Sequence, residues 1–258
     1  MSAALPERRR FVGRLPVDAV TFEEALRVIC ALSRGGSGGA VYTPNVDHVV
    51  MAEDDEALRC AYARAELCLA DGVPVVWASR LSGDGVPEKI SGADLMPRLM
   101  AEAERVGLSV YLLGGAVGVA DRAAQSLLAR HPRLRISGVA CPAVNMSESR
   151  ASRVPIIEAI RAADPDLVFV CMGAPKQELF IAESRSALPR QIMLGVGAAL
   201  DFEAGTASRA PAWASAAGLE WAHRLLHDPA RLWRRYLLRD PRFAAVVLRD
   251  WQVARSSS

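Results

Sequence analysis

The second half of the chain alternates short, continuous apolar runs with amphipathic segments of helical length. Parallel strands buried on both faces have this apolar character, and each must be joined to the next by a crossover, usually a helix. The pattern therefore predicts an α/β fold, in which a parallel sheet is covered by helices on both faces. The predicted strands are 109–115, 134–140, 166–173 and 191–197, and the predicted helices between them are 116–130, 149–162 and 175–187.

The first half continues the same pattern. Thr21 and Glu24 form a capping box that predicts a helix reaching about Leu32. A helical periodicity with an interruption near Asp54 follows the first apolar run, and Pro97 requires a late start or a kink in a later helix. The predicted strands here are 40–46 and 67–70, and the predicted helices are 47–64 and 91–107.

Composition changes near residue 205, which divides the chain into an α/β core, 1–204, and a helical appendage, 205–258. The appendage is rich in arginine and holds four of the five tryptophans. Asp228-Pro229 and Asp240-Pro241 each resemble a helix cap followed by a first helical residue, and predict two short helices.

The appendage has two open interpretations. Interleaved arginine and apolar side chains suit an anionic membrane surface or a lipid diphosphate, but they could equally be a tail packed on the core, with arginine stems covering apolar surface. The net charge of +2 argues against a nucleic-acid partner. If the helices align, a basic stripe would comprise Arg224, Arg231, Arg235, Arg242 and Arg249.

Other classes of protein are disfavoured. No apolar run approaches the roughly 18 residues of a membrane span, and the five scattered cysteines suggest free thiols in a reducing compartment. The four histidines lack metal-ligand spacing, so we expect no metal site. We therefore expect a cytoplasmic protein, which could still contact a membrane surface.

In parallel α/β sheets, ligands bind beyond the carboxyl ends of the strands. Asp71 and Gly72 directly follow a buried strand there. The pair could be a simple turn or helix cap, or Asp71 could be a general base in a partly dry site. From position alone, neither interpretation is preferred.

Three further stretches meet the same edge. Thr43 and Asn45 end a strand, and Asn45 could simply cap a helix. A glycine cluster could cradle a phosphate or allow tight strand–helix packing, although it lacks the full dinucleotide fingerprint. Lys176 opposes the dipole of its helix, which suggests an anion or sugar there, although a solvated first turn is the alternative. The residues of the last two stretches are Gly114, Gly115 and Gly118, and Gly173, Lys176, Gln177 and Glu178.

Taken together, the motifs resemble the WecG/TagA/CpsF family of bacterial glycosyltransferases, over about residues 17–243. The matching stretches are TPNVDHV, ADGVPVV, KISGADL, VYLLGG, MGAPKQE, GVGAALDFEAGTASRAP and GLEWAHRLLHDPARLWRRY. The resemblance implies a Rossmann-like core and an inverting, metal-independent transfer from a UDP-sugar to a polyprenyl-diphosphate-linked saccharide, in surface-polysaccharide or cell-wall polymer synthesis. It also implies peripheral attachment to the inner face of the cell membrane. N-acetylmannosamine is the first expectation for the donor sugar, with its uronic acid or glucose as alternatives, and a homo-oligomer is left open.

The resemblance also implies roles for individual residues. Asp71 matches the proposed base, and Thr43, Asn45 and Gln177 match positions that line the pocket. Gly72, Lys89, Gly114, Gly115, Gly173, Lys176 and Glu178 are the further substrate-binding candidates from the core, and Arg209, Arg224, Arg231 and Arg234 are the candidates from the appendage for the diphosphate.

Three departures from the family pattern bear on these roles. Pro74 and Lys89 stand where the family usually has glycine and arginine, and 137–149 lacks the usual Gly-Tyr-Phe. A lysine cannot reproduce the bidentate fork of arginine. These departures keep open a non-catalytic membrane-docking scaffold on the same core. A nucleotide-dependent oxidoreductase or epimerase is the other alternative, and the incomplete glycine fingerprint counts against it.

Overall fold

A computed structural model describes residues 9–81 and 85–256. Within these ranges a parallel sheet of six strands has the order β4-β3-β8-β7-β5-β6, which confirms the predicted α/β class. The strands are β1 Arg9–Val12, β2 Leu15–Asp18, β3 Gly39–Tyr42, β4 Leu67–Cys68, β5 Ser109–Gly114, β6 Arg135–Ala140, β7 Leu167–Cys171 and β8 Ile192–Gly195.

The described helices cover both faces of the sheet. They are α1 Phe22–Arg34, α2 Val46–Asp54, α3 Glu56–Ala63, α4 Val73–Leu81, α5 Gly92–Val106, α6 Val119–Arg130, α7 Val154–Ala163, α8 Lys176–Ser184, α9 Ala199–Glu203, α10 Ala212–Ala216, α11 Glu220–His227, α12 Pro229–Trp233 and α13 Arg242–Ser256. A 3₁₀ turn, Arg150–Arg153, precedes α7, and a π-helix, Arg234–Arg239, follows α12.

The central strands are buried on both faces because their side chains alternate between two cores. In β5, Val110 and Leu112 pack into one cluster, while Tyr111 and Leu113 pack into the other. This alternation follows from the two-residue period of a strand. It explains why these strands appear in the sequence as unbroken apolar runs.

Local signals set the helix boundaries. Thr21 and Glu24 form the predicted capping box at α1, and Asp55 separates α2 from α3 by capping the latter. Pro97 lies inside α5, where it cannot donate to the carbonyl of Ala93 four residues earlier. That carbonyl instead accepts a hydrogen bond from Arg209 of the appendage, so the proline provides a docking point rather than a helix end.

An antiparallel hairpin of β1 and β2 precedes the sheet and was not predicted. Its strands are only four residues each. Arg9 Nε lies 2.8 Å from Asp18 Oδ1 across the pair, and Gly13 supplies the positive φ of 59° at the turn.

Helices after residue 205 pack against the core. Arg249 Nη1 lies 2.6 Å from Glu53 Oε2 on α2, and the Gly13 N–H donates to Asp250 Oδ2 at 2.7 Å. The second helix predicted here is not short: α13 has 15 residues, because no breaker interrupts it. Along the described part of the chain, no helix is both long and apolar enough to cross a membrane.

Candidate active site

The carboxyl ends of the strands open into a cavity of about 850 Å³, covered from the other side by the appendage. Its wall brings together residues that are far apart in sequence, because parallel strands end at one edge. The predicted site residues in this wall are Thr43, Asn45, Asp71, Gly173, Gln177 and Arg224.

Asp71 follows β4 and is tied to the neighbouring strand end. Its backbone N–H donates to the carbonyl of Pro44 at 2.9 Å, which places the carboxyl beside the Thr43–Asn45 loop. Burial, and to a smaller extent the nearby carboxylate of Glu220, raise the pKa of Asp71 to about 7, against the opposing effects of Arg224 and Lys89. A carboxyl with this pKa suits proton transfer near neutral pH.

Pro74 fits the loop that holds Asp71. It lies in the first turn of α4, where a backbone N–H has no helical acceptor, so the proline costs no hydrogen bond. Gly72 has a φ of 111°, a conformation that strongly favours glycine. Gly72 and Pro74 both line a second cavity.

The second cavity, of about 320 Å³, also has Asp71 in its wall. Asn45, Arg224 and Arg235 line both this cavity and the larger one. Asp71 therefore belongs to the part of the wall that the two cavities share. The smaller cavity is largely apolar elsewhere, with Val73, Pro74, Trp221, Tyr236, Pro241 and Phe243 in its wall.

Thr43 and Asn45 have partners that fix their orientation. The buried hydroxyl of Thr43 donates to the carbonyl of Gly195 at 3.0 Å. Asn45 is the predicted cap of α2, and its Oδ1 accepts from the His48 N–H at 3.3 Å and from Arg235 Nη2 at 3.2 Å. Asn45 thus joins the core to the appendage at the cavity wall.

The start of α8 differs from a solvated first turn. Gln177 is buried and lines the larger cavity. Glu178 is fully buried behind it, so the alternative of a solvated first turn does not hold for this glutamate. Lys176 is the first residue of α8. It is not among the described residues that line the three cavities.

The glycine cluster after β5 lacks the partner that dinucleotides require. A side chain at Gly114 would meet the carbonyl oxygen of Cys171 at 2.4 Å, so this glycine permits close strand packing. Gly115 follows with a φ of 78°, and the cavity wall begins at the next residue, Ala116. The adjacent strand β6 is followed by Cys141 rather than an acid that would bind a ribose.

Of the lysine and arginine side chains predicted to bind substrate, Lys89, Arg209 and Arg224 line cavities and also pair with acids. Lys89 Nζ lies 2.9 Å from Asp94 Oδ2 and lines the smaller cavity. Arg209 and Lys89 also line a third cavity of about 530 Å³, and Arg209 Nη1 lies 3.2 Å from Asp94 Oδ1. Arg224 Nη2 lies 2.8 Å from Glu220 Oε1.

Arg234 and Arg231 do not add to this set. Arg234 is exposed, with its guanidinium carbon 5.3 Å from the centre of the Trp233 ring, and it lines none of the three cavities. Arg231 belongs to α12, but its side chain lies outside what the structure describes. The neighbouring Arg235 enters both main cavities instead.

Sequence reasoning missed several residues of the larger cavity. His223 and His227 are four positions apart on α11, a spacing that places them on one helix face. Asp201 follows β8 at the ligand edge, and strand direction points to 197–201, although Asp201 was not chosen as a site candidate. The additional lining residues include His48, Arg122, Asp201, Phe202, His223, His227, Asp228 and Arg235.

Comparison with known proteins identifies the family of this chain. The model of the family described as "Glycosyl transferase WecG/TagA/CpsF family" matches residues 10–257. An N-acetylglucosaminyldiphosphoundecaprenol N-acetyl-beta-D-mannosaminyltransferase from Bacillus subtilis (strain 168) is 30% identical over 83% of this chain and 80% of its own length. The enzyme of the same name from Bacillus spizizenii is 31% identical over 82% of this chain and 79% of its own length. The family resemblance is thereby confirmed, and the chain belongs to the WecG/TagA/CpsF family of glycosyl transferases.

Proposed function

We propose that this protein transfers a sugar of the N-acetylmannosamine type from a UDP-sugar to a polyprenyl-diphosphate-linked saccharide, with inversion at the anomeric carbon. One observation carries the proposal: Asp71 lies in the walls of both the larger and the smaller cavity. A transferase needs a base at the junction between a donor site and an acceptor site. The names of the two Bacillus relatives support the sugar and the acceptor class.

The larger cavity is assigned to the donor. Its volume of about 850 Å³ is within the usual range of roughly 300–1,000 Å³ for small-molecule sites. It lies at the ligand edge of the sheet, beside the loops that follow β7 and β8. These loops contain Gly173 and Gly197, where an added side chain would meet no atom within 4 Å. Both glycines therefore face open space rather than packed protein.

The smaller cavity is assigned to the acceptor. Its apolar wall, which includes Trp221, Tyr236 and Phe243, suits a sugar face and the start of a polyprenyl chain. Lys89, Arg224 and Arg235 in the same wall could bind the diphosphate.

In the proposed reaction, Asp71 takes the proton from an acceptor hydroxyl. The hydroxyl oxygen attacks the anomeric carbon, and the bond to UDP breaks on the opposite face. Arg224 and Arg235 line both cavities, so their charge offsets the negative charge that develops on the leaving UDP. Because these arginines supply that compensation, we propose that no metal ion is required.

We also propose peripheral contact with the inner face of the membrane through the appendage. Several of its apolar side chains are exposed, namely Trp213, Leu219, Trp221, Leu226, Trp233, Leu237 and Leu238. The predicted basic stripe does not carry this proposal, because Arg224 and Arg235 line the two cavities, and Arg242 and Arg249 pair with Asp54 and Glu53 of the core.

A panel of UDP-sugars tests the donor. The cognate donor at about 100 times its Kd should stabilise the protein by ~2.7 kcal/mol, which raises Tm by about 5–10 °C. The same compound should give transfer to polyprenyl-diphosphate-linked N-acetylglucosamine, with and without EDTA. NAD is the matched control and should leave Tm unchanged. Stabilisation by NAD alone would favour an oxidoreductase, and liposome binding without UDP affinity would favour a scaffold.

The pH dependence of transfer tests the base. The pKa of Asp71 is raised to about 7, and only the ionised carboxylate can accept a proton. Therefore kcat/KM should rise about tenfold per pH unit below 7 and level off above it. Initial rates from about pH 5.5 to about pH 9, with circular dichroism as a control for folding, measure this. A flat profile across the range would contradict the assignment.

A further inference from the structure

Glu178 is a buried carboxyl that lies next to the cavity but outside its wall. Its side chain has no exposed surface, and burial raises its pKa to about 7. Oε1 accepts a hydrogen bond from Gln177 Nε2 at 2.8 Å, while Oε2 has no hydrogen-bond partner. A buried, half-satisfied carboxyl costs stability, so its position next to a binding site calls for a role.

The hydrogen bond from Gln177 belongs to a chain that crosses the site. Gln177 Oε1 accepts from the backbone N–H of Gly197 at 3.0 Å. Because that N–H can only donate, the amide oxygen must face Gly197 and the amide nitrogen must face Glu178. Glu178 and Gly197 therefore hold the Gln177 amide in one orientation, and Gln177 itself lines the larger cavity.

Glu178 also lies behind a second residue of the cavity wall. His48 Nδ1 is 3.9 Å from Glu178 Oε1 and 2.7 Å from the Tyr62 hydroxyl. Burial lowers the pKa of His48 to about 3, so this ring is neutral at working pH and does not supply a counter-charge. Gln177 is thus the residue of the cavity wall that donates a hydrogen bond to the Glu178 carboxyl.

We infer that Glu178 is a positioning residue, which orients the Gln177 amide for the donor rather than contacting the substrate. The inference rests on the proposed function, since it assigns the larger cavity to a UDP-sugar. It replaces the expectation that Glu178 binds substrate directly. The required property of the side chain is an acceptor oxygen at the position of Oε1.

Two substitutions separate this role from simple packing. Glu178→Gln keeps an acceptor oxygen and should retain kcat/KM for the donor within about threefold. Glu178→Met keeps the length but removes the acceptor, and should lower kcat/KM about 10- to 100-fold, as expected when a group that orients a binding residue is lost. Thermal unfolding provides the control: a packing role would lower Tm in proportion to activity, whereas burying methionine in place of the carboxyl should hold or raise Tm.

A double-mutant cycle with Gln177→Met identifies the route of the effect. If Glu178 acts through Gln177, Glu178→Met should cause no further loss in the Gln177→Met background. Equal losses in both backgrounds, or full activity of Glu178→Met, would overturn the inference. Calorimetric titration with UDP distinguishes the two levels: a wild type that neither binds UDP nor transfers from any UDP-sugar refutes the proposed function and this inference with it. A wild type that does both, with Glu178→Met equally active, refutes the inference alone.

Discussion

Asp71→Asn should lower the transfer rate about 10²- to 10⁴-fold, the usual contribution of a general base. The amide retains the size of the carboxyl but cannot accept the acceptor's proton. UDP affinity should change little, because Arg224, Arg235 and the loops after β7 and β8 still line the larger cavity. Single-turnover rates and UDP titration of the same preparation measure the two effects separately.

The same substitution, Asp71→Asn, should increase the stability of the folded protein although it lowers the transfer rate. The folded-state pKa of Asp71 is raised from 3.8 to about 7, so the folded state binds more protons between these values, and stability contributed by this group is lost as pH rises through that window. Above pH 7 the charge of this partly buried carboxylate is a cost, and we expect Asp71→Asn to be more stable by on the order of 1–3 kcal/mol. Asp121→Asn, at an exposed acid on α6, is the control. Near-normal turnover of Asp71→Asn would reject the base, and a lower Tm would indicate that Asp71 has a structural role.

The parallel core was predictable because its strands are buried on both faces. Residues 110–113 alternate between two hydrophobic clusters, so this run must be apolar, and the signal needs no tertiary information. The same reasoning located the ligand edge, since it requires only the direction of each strand. Asp71 and Gln177 were found in this way.

The N-terminal hairpin was not predictable in the same way. Its strands have only four residues each, too few for a clear period. What holds β2 in place is a tertiary contact: Asp18 pairs with Arg9 and also accepts from the Cys68 N–H of β4 at 2.7 Å. The charge pattern of the isolated segment does not reveal that partner.

The burial of Glu178 and the choice of Arg235 over Arg234 also depend on tertiary structure. A glutamate in a first helical turn is ordinarily favoured by the dipole in solvent, and only the packing of α8 against α3 and the sheet buries it. The π-helix 234–239 alters the facing of successive residues relative to an α-helix. Helical periodicity alone therefore cannot decide which of two adjacent arginines reaches the cavity.

The appendage is joined to the core by a buried charge cluster around Asp47. The Asp47 carboxyl is 4% exposed; Oδ2 lies 3.2 Å from Arg235 Nε and Oδ1 lies 2.5 Å from Arg239 Nε. These are ion pairs by distance, although Oδ1 and both Nε atoms lack hydrogen-bond alignment. Arg235 and Arg239 are four residues apart, close to one turn of the π-helix, so both side chains can reach the same carboxyl.

Asp47→Ala should weaken the contact between the appendage and the core. Removing one member of a buried ion pair can cost ~3–5 kcal/mol, but the side chains of Arg235 and Arg239 are 25% and 41% exposed and can turn toward water. We therefore expect about 1–3 kcal/mol lower stability. Trypsin should cleave faster within 234–239, and transfer should fall about tenfold, because Arg235 would lose its buried carboxylate partner and be held less firmly in the walls of both cavities.

Asp54→Ala is the matched control for this cluster. It removes another contact between α2 and the appendage, the pair with Arg242 at 2.9 Å, but both of those side chains are more than half exposed. Such a pair contributes about 0–1 kcal/mol, so proteolysis and transfer should stay close to wild type. If Asp47→Ala and Asp54→Ala behave alike, the cluster does not hold the appendage. If only Asp47→Ala loses both protection and transfer, closure of the appendage is a condition for catalysis, because its arginines complete a site that the core alone leaves open.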